Sequence, residues 1–460
     1  MNYSEAREYL KNVNKLGSIL GLNTIKELLK RLGNPQNELK VVHIAGTNGK
    51  GSIMTFVQNI LMESGYKVGR YCSPAVFNER EIIRINDEYI SEEQSADLLT
   101  RIKEKCDSMH SEGLPHPTSF EIETAEALMF FKEQNCDIAL IECGMGGETD
   151  ATNVFEKVLC SVIATISLDH TQFLGSTIEE ITKVKSGIIK ENCPVVMSKQ
   201  TGEAESVIKK VCKQKNSELI IPTEQDLENV EIDGLTTKVT YKASNNKEYI
   251  LNLQALGTYQ IKNAKTAVEV ALVLDKALTE KTNICDESDK NNSTGMKNNI
   301  NNSGNTIEKN IKKGIEKTVW PGRMEVISKE PLIIIDGAHN PGAVLELRKT
   351  LDLYFTNKRI TFIMGVLSDK DFSKEAEIIA DRAERIITIT PNNSRGLDGH
   401  KLAETLVKYN HNVQVADSLK QAAEESIDTI KENRADMILA FGSLSYLGEL
   451  KQVVRLICNH

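Results

Sequence analysis

Residues 41–61 constrain the fold more than any other part of the chain. The apolar strand pattern Val41-Val42-His43-Ile44-Ala45 runs straight into Gly46-Thr47-Asn48-Gly49-Lys50-Gly51-Ser52. A helical pattern, Ile53, Met54, Val57, Ile60 and Leu61, follows at once. A strand that turns through glycines into a helix points backbone amides, and the positive end of the helix, at one spot. That is a cradle for phosphate oxygens. There Lys50 would meet the β- and γ-phosphates and the Ser52 hydroxyl would lie near Mg²⁺. The widespread form of this loop is G-x-x-x-x-G-K-[ST], whereas here Gly51 stands between the lysine and the serine.

The rest of the chain repeats the strand-then-helix theme. Short apolar runs at Val41–Ala45, Val68–Cys72, Ile138–Cys143, Val158–Ile166 and Pro194–Met197 alternate with stretches of helical period. Ser91-Glu92-Glu93-Gln94 and Thr177-Ile178-Glu179-Glu180 fit the capping box that starts a helix. Alternation of this kind predicts a mostly parallel, doubly wound sheet. Runs at Leu332–Asp336, Ile360–Met364, Ile386–Thr390, Asn412–Val415 and Met437–Phe441 predict a second α/β unit, and Thr237–Tyr241 with Tyr249–Leu253 predicts a hairpin closing the first. Between them the stretch DKNNSTGMKNNINNSGNTIEKN is dominated by Asn, Lys and Ser. It holds too little apolar surface to offset the entropy of ordering it, so residues 281–316 are expected to form a flexible insertion and linker. The expected domains are thus 1–280 and 317–460.

Composition excludes several classes. Lys+Arg 56 against Asp+Glu 65 gives a net charge of −9, contrary to broad nucleic-acid binding. No apolar run approaches the ~18 residues that span a bilayer. The start, MNYSEAREYLKNVNK, lacks the apolar core of a secretory signal. Nine cysteines, an odd number with no C-x-x-C pair, read as reduced thiols of a cytoplasmic protein. No nucleic-acid or membrane partner is expected.

Further motifs carry a family resemblance. G-T-N-G-K-G-S is similar to the phosphate loop of the Mur ligase superfamily. Tyr71-Cys72-Ser73-Pro74 with Asn78-Glu79-Arg80 resembles the S-P…E-R segment of folylpolyglutamate and dihydrofolate synthases. The block Ile141–Asn153, Ser167-Leu168-Asp169-His170, Lys183–Ile189, Trp320-Pro321-Gly322-Arg323 and Asp336–Pro341 resemble that family's other motifs in order. The resemblance implies a P-loop-containing, Mur-ligase-like α/β ATPase domain with a doubly wound parallel sheet, plus a smaller C-terminal Rossmann-like α/β domain. The implied chemistry is ATP-dependent ligation of L-glutamate to a reduced folate through an acyl phosphate, possible on dihydropteroate too, by a monomer.

The resemblance also distributes roles. ATP would lie on Gly46, Thr47, Asn48, Gly49, Lys50, Gly51, Ser52, Asn263, Arg323 and Asp336. Magnesium would be held by Ser52, Ser73, Glu142, His170 and Lys185, the last as a carbamate, which turns an ammonium into a carboxylate-like ligand. Lys50, Lys185 and His339 would be catalytic, His339 contacting the acyl phosphate or steering the glutamate. Folate would contact Thr118, Ser119, Phe120, Glu121, Thr149, Asp150 and Ala151. On the residues' own terms, Ser73, Glu142 and His170 follow or end apolar strands, and the carboxyl edge of a parallel sheet is where ligands bind. Two alternatives stand beside this. A peptidoglycan-precursor ligase shares loop and reaction, but only about 40 residues precede the loop, short of an extra N-terminal domain. A nucleotide-dependent switch predicts a guanine-reading Asn-Lys-x-Asp motif, and none occurs.

Overall fold

Strand β1 (Val41–Ala45) is buried at all five positions because it lies between two parallel neighbours, β5 (Ile138–Glu142) and β6 (Cys160–Ile163). Strands covered on both faces read as continuous apolar runs, which is why these were visible in the sequence. The computed structural model describes residues 1–14, 21–222, 224–288 and 306–458. Its largest sheet has eight strands in the order β4-β3-β2-β5-β1-β6-β7-β8. The remaining members are β2 (Val68–Tyr71), β3 (Ile83–Ile85), β4 (Glu88–Tyr89), β7 (Val195–Met197) and β8 (Leu219–Ile220).

That sheet is mixed, not purely parallel. β3 pairs antiparallel with β2 and with β4, making a hairpin edge that turns at Asn86, where φ is 54°. Asn tolerates this left-handed conformation better than most residues. Strands of three and two residues carry too little periodicity to be read beforehand. Helices Lys50–Glu63 and Thr258–Ser288 cover one face, and Tyr3–Asn14, Asn23–Arg31, Glu92–Ser111 and Ser119–Glu133 contribute to the core on the other. The expected capping boxes at Ser91 and Thr177 are both formed.

The expected hairpin pairs in register, Thr237 opposite Leu253 and Tyr241 opposite Tyr249. It belongs to a three-stranded antiparallel sheet, β11 (Glu248–Leu253), β10 (Thr236–Lys242) and β9 (Leu227–Asp233). β9 is largely exposed and acidic, so it lacked an apolar signature. The C-terminal sheet runs β12-β13-β17-β14-β15-β16, with β12 (Glu325–Lys329) an antiparallel edge. Its parallel members are β13 (Leu332–Ile335), β14 (Ile360–Met364), β15 (Arg385–Thr388), β16 (Val413–Val415) and β17 (Met437–Phe441). Among the described residues no helix is long and apolar enough to cross a membrane.

One expectation needs correction. Residues 289–305, most of the Asn-rich stretch, lie outside the described residues, but residues 307–316 are not a flexible linker. They form the helix Ile307–Glu316, whose Ile307, Ile311 and Ile315 are buried in the core with Phe56 and Ile60. The i, i+4, i+8 spacing of those isoleucines is a one-faced helical stripe; averaged with the Asn-rich neighbours, it was hidden. Ile311→Ala is expected to cost about 3 kcal/mol, read by urea titration. A change below about 0.5 kcal/mol would mean the helix is not part of the core.

Candidate active site

The phosphate loop leaves β1 at its carboxyl end and is tied to the next strand's exit. Thr47 and Asn48 amides donate to the Thr165 carbonyl at 2.9 and 3.1 Å, and Thr47 Oγ1 donates to Ser167 O at 3.0 Å. Gly49 sits at φ 90°, and a Cβ there would come within 2.6 Å of Asn263 Oδ1. Gly51, the residue inserted into the usual spacing, faces the indole of Trp320, and a Cβ would lie 2.7 Å from its Cζ2. The extra glycine thus lets the W-P-G-R segment pack directly on the loop. Lys50 Nζ donates to the carbonyls of Gly46 (3.1 Å) and Thr47 (3.2 Å) and lies 3.6 Å from Glu142 Oε1.

All ten residues expected at ATP, from Gly46 to Asp336, border one cavity of about 370 Å³, with His339 and all five expected magnesium residues. Glu142 ends β5, buried, and accepts from Cys72 Sγ at 2.6 Å. His170 takes a left-handed conformation ahead of the short helix Thr171–Leu174. Lys185 ends the helix Ile178–Lys185, only 4% exposed, with Nζ donating to Gly46 O at 3.1 Å. Burial, aided by the nearby Lys50 charge, lowers its amine to about 8. Among the described residues no three His, Cys, Asp or Glu side chains converge as a ready-made metal cage. One carboxylate, one imidazole and hydroxyls suit Mg²⁺, which keeps waters and leans on substrate phosphates. The donor set fits that ion.

From the C-terminal half, Asp336 at the mouth of β13 is fully engaged: Oδ2 accepts from Tyr259 Oη (2.8 Å) and the Met324 amide (2.8 Å), and Oδ1 from the Ala338 amide (2.8 Å). It therefore clamps the Arg323 and His339 loops to each other. Burial pushes its carboxyl up, with Arg323 opposing. His339 Nδ1 lies 2.7 Å from the Gly337 carbonyl, an acceptor only, so this nitrogen carries the proton and Nε2 is left as an acceptor. Burial lowers the ring to about 4, so it is neutral at pH 7. Asn263 donates to Gln260 Oε1 at 3.0 Å on the same helix.

Sequence reasoning missed the clasp between the halves. Asn48 and Asn340 pair through both amides at 3.1 Å, Asn340 donates to Asp169 Oδ2 at 3.2 Å, and Lys370 reaches Asp169 Oδ1 at 2.7 Å. Lys370 and Asp169 side chains are 8% and 9% exposed. Burial raises Asp169, but Lys370 and His170 outweigh it and hold the carboxyl at about 2. Only the position of Lys370 after a parallel strand could have flagged it. Lys370→Met is expected to lower stability by about 3 kcal/mol in a urea titration, because it leaves a buried charge unpaired. Adding Asp169→Asn should recover much of the loss. Equal midpoints for wild type and Lys370→Met would show that the pair holds nothing.

A second cavity, of about 480 Å³, is lined by six of the seven expected folate residues: Thr118, Phe120, Glu121, Thr149, Asp150 and Ala151. Ser119 is the exception; it is not in the lining, and its hydroxyl donates to Asn14 at 3.2 Å instead. Thr118 and Glu121 form a capping box at the start of the helix Ser119–Glu133. Asp150 accepts from the Met145 amide (2.7 Å), the Thr152 amide (2.9 Å) and Thr152 Oγ1 (2.6 Å), which fixes its own loop. Ser73, Pro74 and Gly144 border both cavities. Arg7, Glu79 and Glu123 also line the second; Glu79 belongs to the Asn78-Glu79-Arg80 motif, which was given no role, and nothing in the sequence marked Arg7 or Glu123.

A phosphate loop, a two-domain cleft and a second cavity against it define an ATP-dependent ligase of the Mur type. Residues 44–271 match the Mur ligase middle domain and residues 322–444 the Mur ligase glutamate ligase domain. The chain is 30% identical to the dihydrofolate synthase/folylpolyglutamate synthase of Bacillus subtilis over 98% of each chain, and 30% identical to the folylpolyglutamate synthase of Lacticaseibacillus casei over 99% of each. A crystal structure of folylpolyglutamate synthase from Thermotoga maritima superposes with a TM-score of 0.78 at 32% identity, covering 98% of this chain and 96% of that one. The chain belongs to the folylpolyglutamate synthase/dihydrofolate synthase family.

Proposed function

We propose that this chain adds L-glutamate to the terminal glutamyl carboxylate of a reduced folate, with ATP converted to ADP and phosphate. The observation that carries the reading is the wall of Ser73, Pro74 and Gly144 shared by the two cavities. A carboxylate reaching past that wall from the second cavity meets the γ-phosphate of a nucleotide seated in the first. A folylpolyglutamate synthase structure holding AMPPCP and folate, 28% identical with a TM-score of 0.80 over 99% of this chain, supports the same pairing of ligands. The B. subtilis relative's two names extend the proposal to dihydropteroate, whose benzoate carboxylate would take the phosphoryl group in the same way.

In the proposed cycle the carboxylate oxygen attacks the γ-phosphorus, giving an acyl phosphate and ADP. Lys50 and Arg323 offset charge on the phosphoryl oxygens as it moves. Ser52, Ser73, Glu142 and His170, with Lys185 as its carbamate, would hold Mg²⁺. When bound, the ion neutralises phosphate charge and fixes the in-line geometry. The glutamate amine then attacks the acyl carbon, and the bridging oxygen leaves with phosphate. His339, neutral with Nε2 as acceptor, is suited to steer that amine by accepting its N–H, and the departing phosphate takes the proton. Residues 1–280 would carry ATP and folate, and residues 317–460 the glutamate step, with domain closure bringing the reactants together. The test is phosphate release by purified protein given ATP, glutamate and each folate form in turn. Release requiring all three substrates supports the proposal; release indifferent to folate and glutamate sinks it.

A further inference from the structure

We propose that Glu123 is a specificity-determining residue of the second cavity, accepting hydrogen bonds from the two-donor edge of the substrate's pterin, its ring N–H and 2-amino group. The inference rests on the folate reading of that cavity. Four carboxylates border it: Glu79, Glu121, Glu123 and Asp150. Three are already engaged. Glu121 accepts from the Thr118 amide (2.7 Å) and hydroxyl (3.0 Å), Asp150 holds its own loop, and Glu79 accepts from Arg7 Nε at 2.9 Å. Glu123 is different. Its carboxylate accepts no hydrogen bond among the described residues, and its ion pair is Arg7 Nη1 at 3.7 Å, beyond hydrogen-bond reach.

Position favours the same role. Glu123 lies three residues after Phe120 on the helix Ser119–Glu133, so the two share a face, and both line the cavity. A ring stacked on Phe120 would present its edge to a carboxylate one turn along. Two coplanar N–H donors match the two oxygens of a carboxylate, the pairing that gives the strongest and most geometrically selective hydrogen bonds. The side chain is recessed, 21% exposed, which removes competing water without closing it off. Around it stand Arg7 from the helix Tyr3–Asn14, Glu79 from the turn before β3, Tyr71 from β2 and Glu126 one turn further on. Glu126 is itself buried and bonded by Ser95 at 2.6 Å, so it is not available to substrate. Burial pushes Glu123 up to about 7, with Arg7 opposing and Glu79 adding. Only the ionised form accepts both donors, so folate affinity should tighten as pH rises through neutrality.

The experiment compares wild type and Glu123→Gln on a reduced folate and on its 2-desamino-2-methyl analogue. With the parent folate, Glu123→Gln should raise KM about ten- to a hundred-fold with a much smaller effect on kcat, since a site built to bond a donor discriminates strongly when the match is lost. With the analogue, which keeps the ring N–H but lacks the 2-amino donor, the KM gap between the two enzymes should shrink by about fivefold or more, and the wild type's fall in KM between about pH 6 and pH 8 should be clearly shallower than with the parent. Equal KM for the parent folate in both enzymes, at equal melting temperature, overturns the proposal. So does a wild-type pH profile identical for parent and analogue, an arm that needs no variant to fold. No folate-dependent turnover at all in the wild type would overturn the folate reading itself, a result distinct from both.

Discussion

Lys50→Ala is expected to abolish folate-dependent phosphate release while leaving the protein folded and still able to bind folate. The ammonium is held over the phosphate loop by the Gly46 and Thr47 carbonyls, 3.6 Å from Glu142. In that place it is a preorganised positive charge where the γ-phosphate must lie. Removing such a charge costs on the order of a thousand-fold in rate, more than any one neutral donor. Stability should fall by no more than about 2 kcal/mol: buried Glu142 loses its neighbouring ammonium but still accepts from Cys72, and the loop stays fixed by backbone bonds to Thr165. Folate binding should survive, since Lys50 does not line the second cavity. Near-native turnover by a folded Lys50→Ala protein would remove the phosphate-loop assignment.

Lys185→Ala should lose most activity, and the reason is chemical as much as positional. An exposed lysine reacts poorly with CO₂ at neutral pH because nearly all of it is protonated. Here burial, with Lys50 beside it, lowers the amine to about 8. At pH 7 roughly a tenth is then neutral, against less than about a thousandth for an ordinary lysine. The neutral fraction, and with it the rate of carbamate formation, rises as pH climbs through about 8 and falls below it. Wild type stripped of CO₂ should therefore regain activity on adding bicarbonate, faster at pH 8 than at pH 7. Short carboxylates should restore part of the activity of Lys185→Ala by supplying the missing negative charge. Full activity of Lys185→Ala at unchanged magnesium dependence would refute the role.

How much of this was legible in the residues depends on range. The phosphate loop is a local motif: seven consecutive residues define it, and all seven line the first cavity. Central strands were legible because burial on both faces leaves an apolar run, as at Ile360–Met364, where all five residues are buried. Edge elements were not. β3, β4 and β12 owe their pairing to neighbours rather than to pattern, and the Ile307, Ile311, Ile315 stripe was masked by the Asn-rich residues before it. Cross-domain contacts were least legible. Tyr259 to Asp336, Asn48 to Asn340 and Lys370 to Asp169 join positions 77, 292 and 201 residues apart. No local spacing encodes them. Glu123 is the converse case: its helix was readable, but that its carboxylate accepts no hydrogen bond among the described residues could be seen only once Arg7 and Glu79 were in place.

The most direct measurement of the central claim follows one oxygen. If ATP activates the folate carboxylate as an acyl phosphate, the oxygen bridging carbon and phosphorus comes from that carboxylate and leaves with phosphate when glutamate attacks. A folate carrying heavy-oxygen label in its terminal carboxyl group, turned over with ATP and glutamate, should deliver one labelled oxygen to each inorganic phosphate, with none in ADP. The folate product should be one glutamyl residue longer. Label appearing in AMP, or unlabelled phosphate accompanying a lengthened product, would contradict the account.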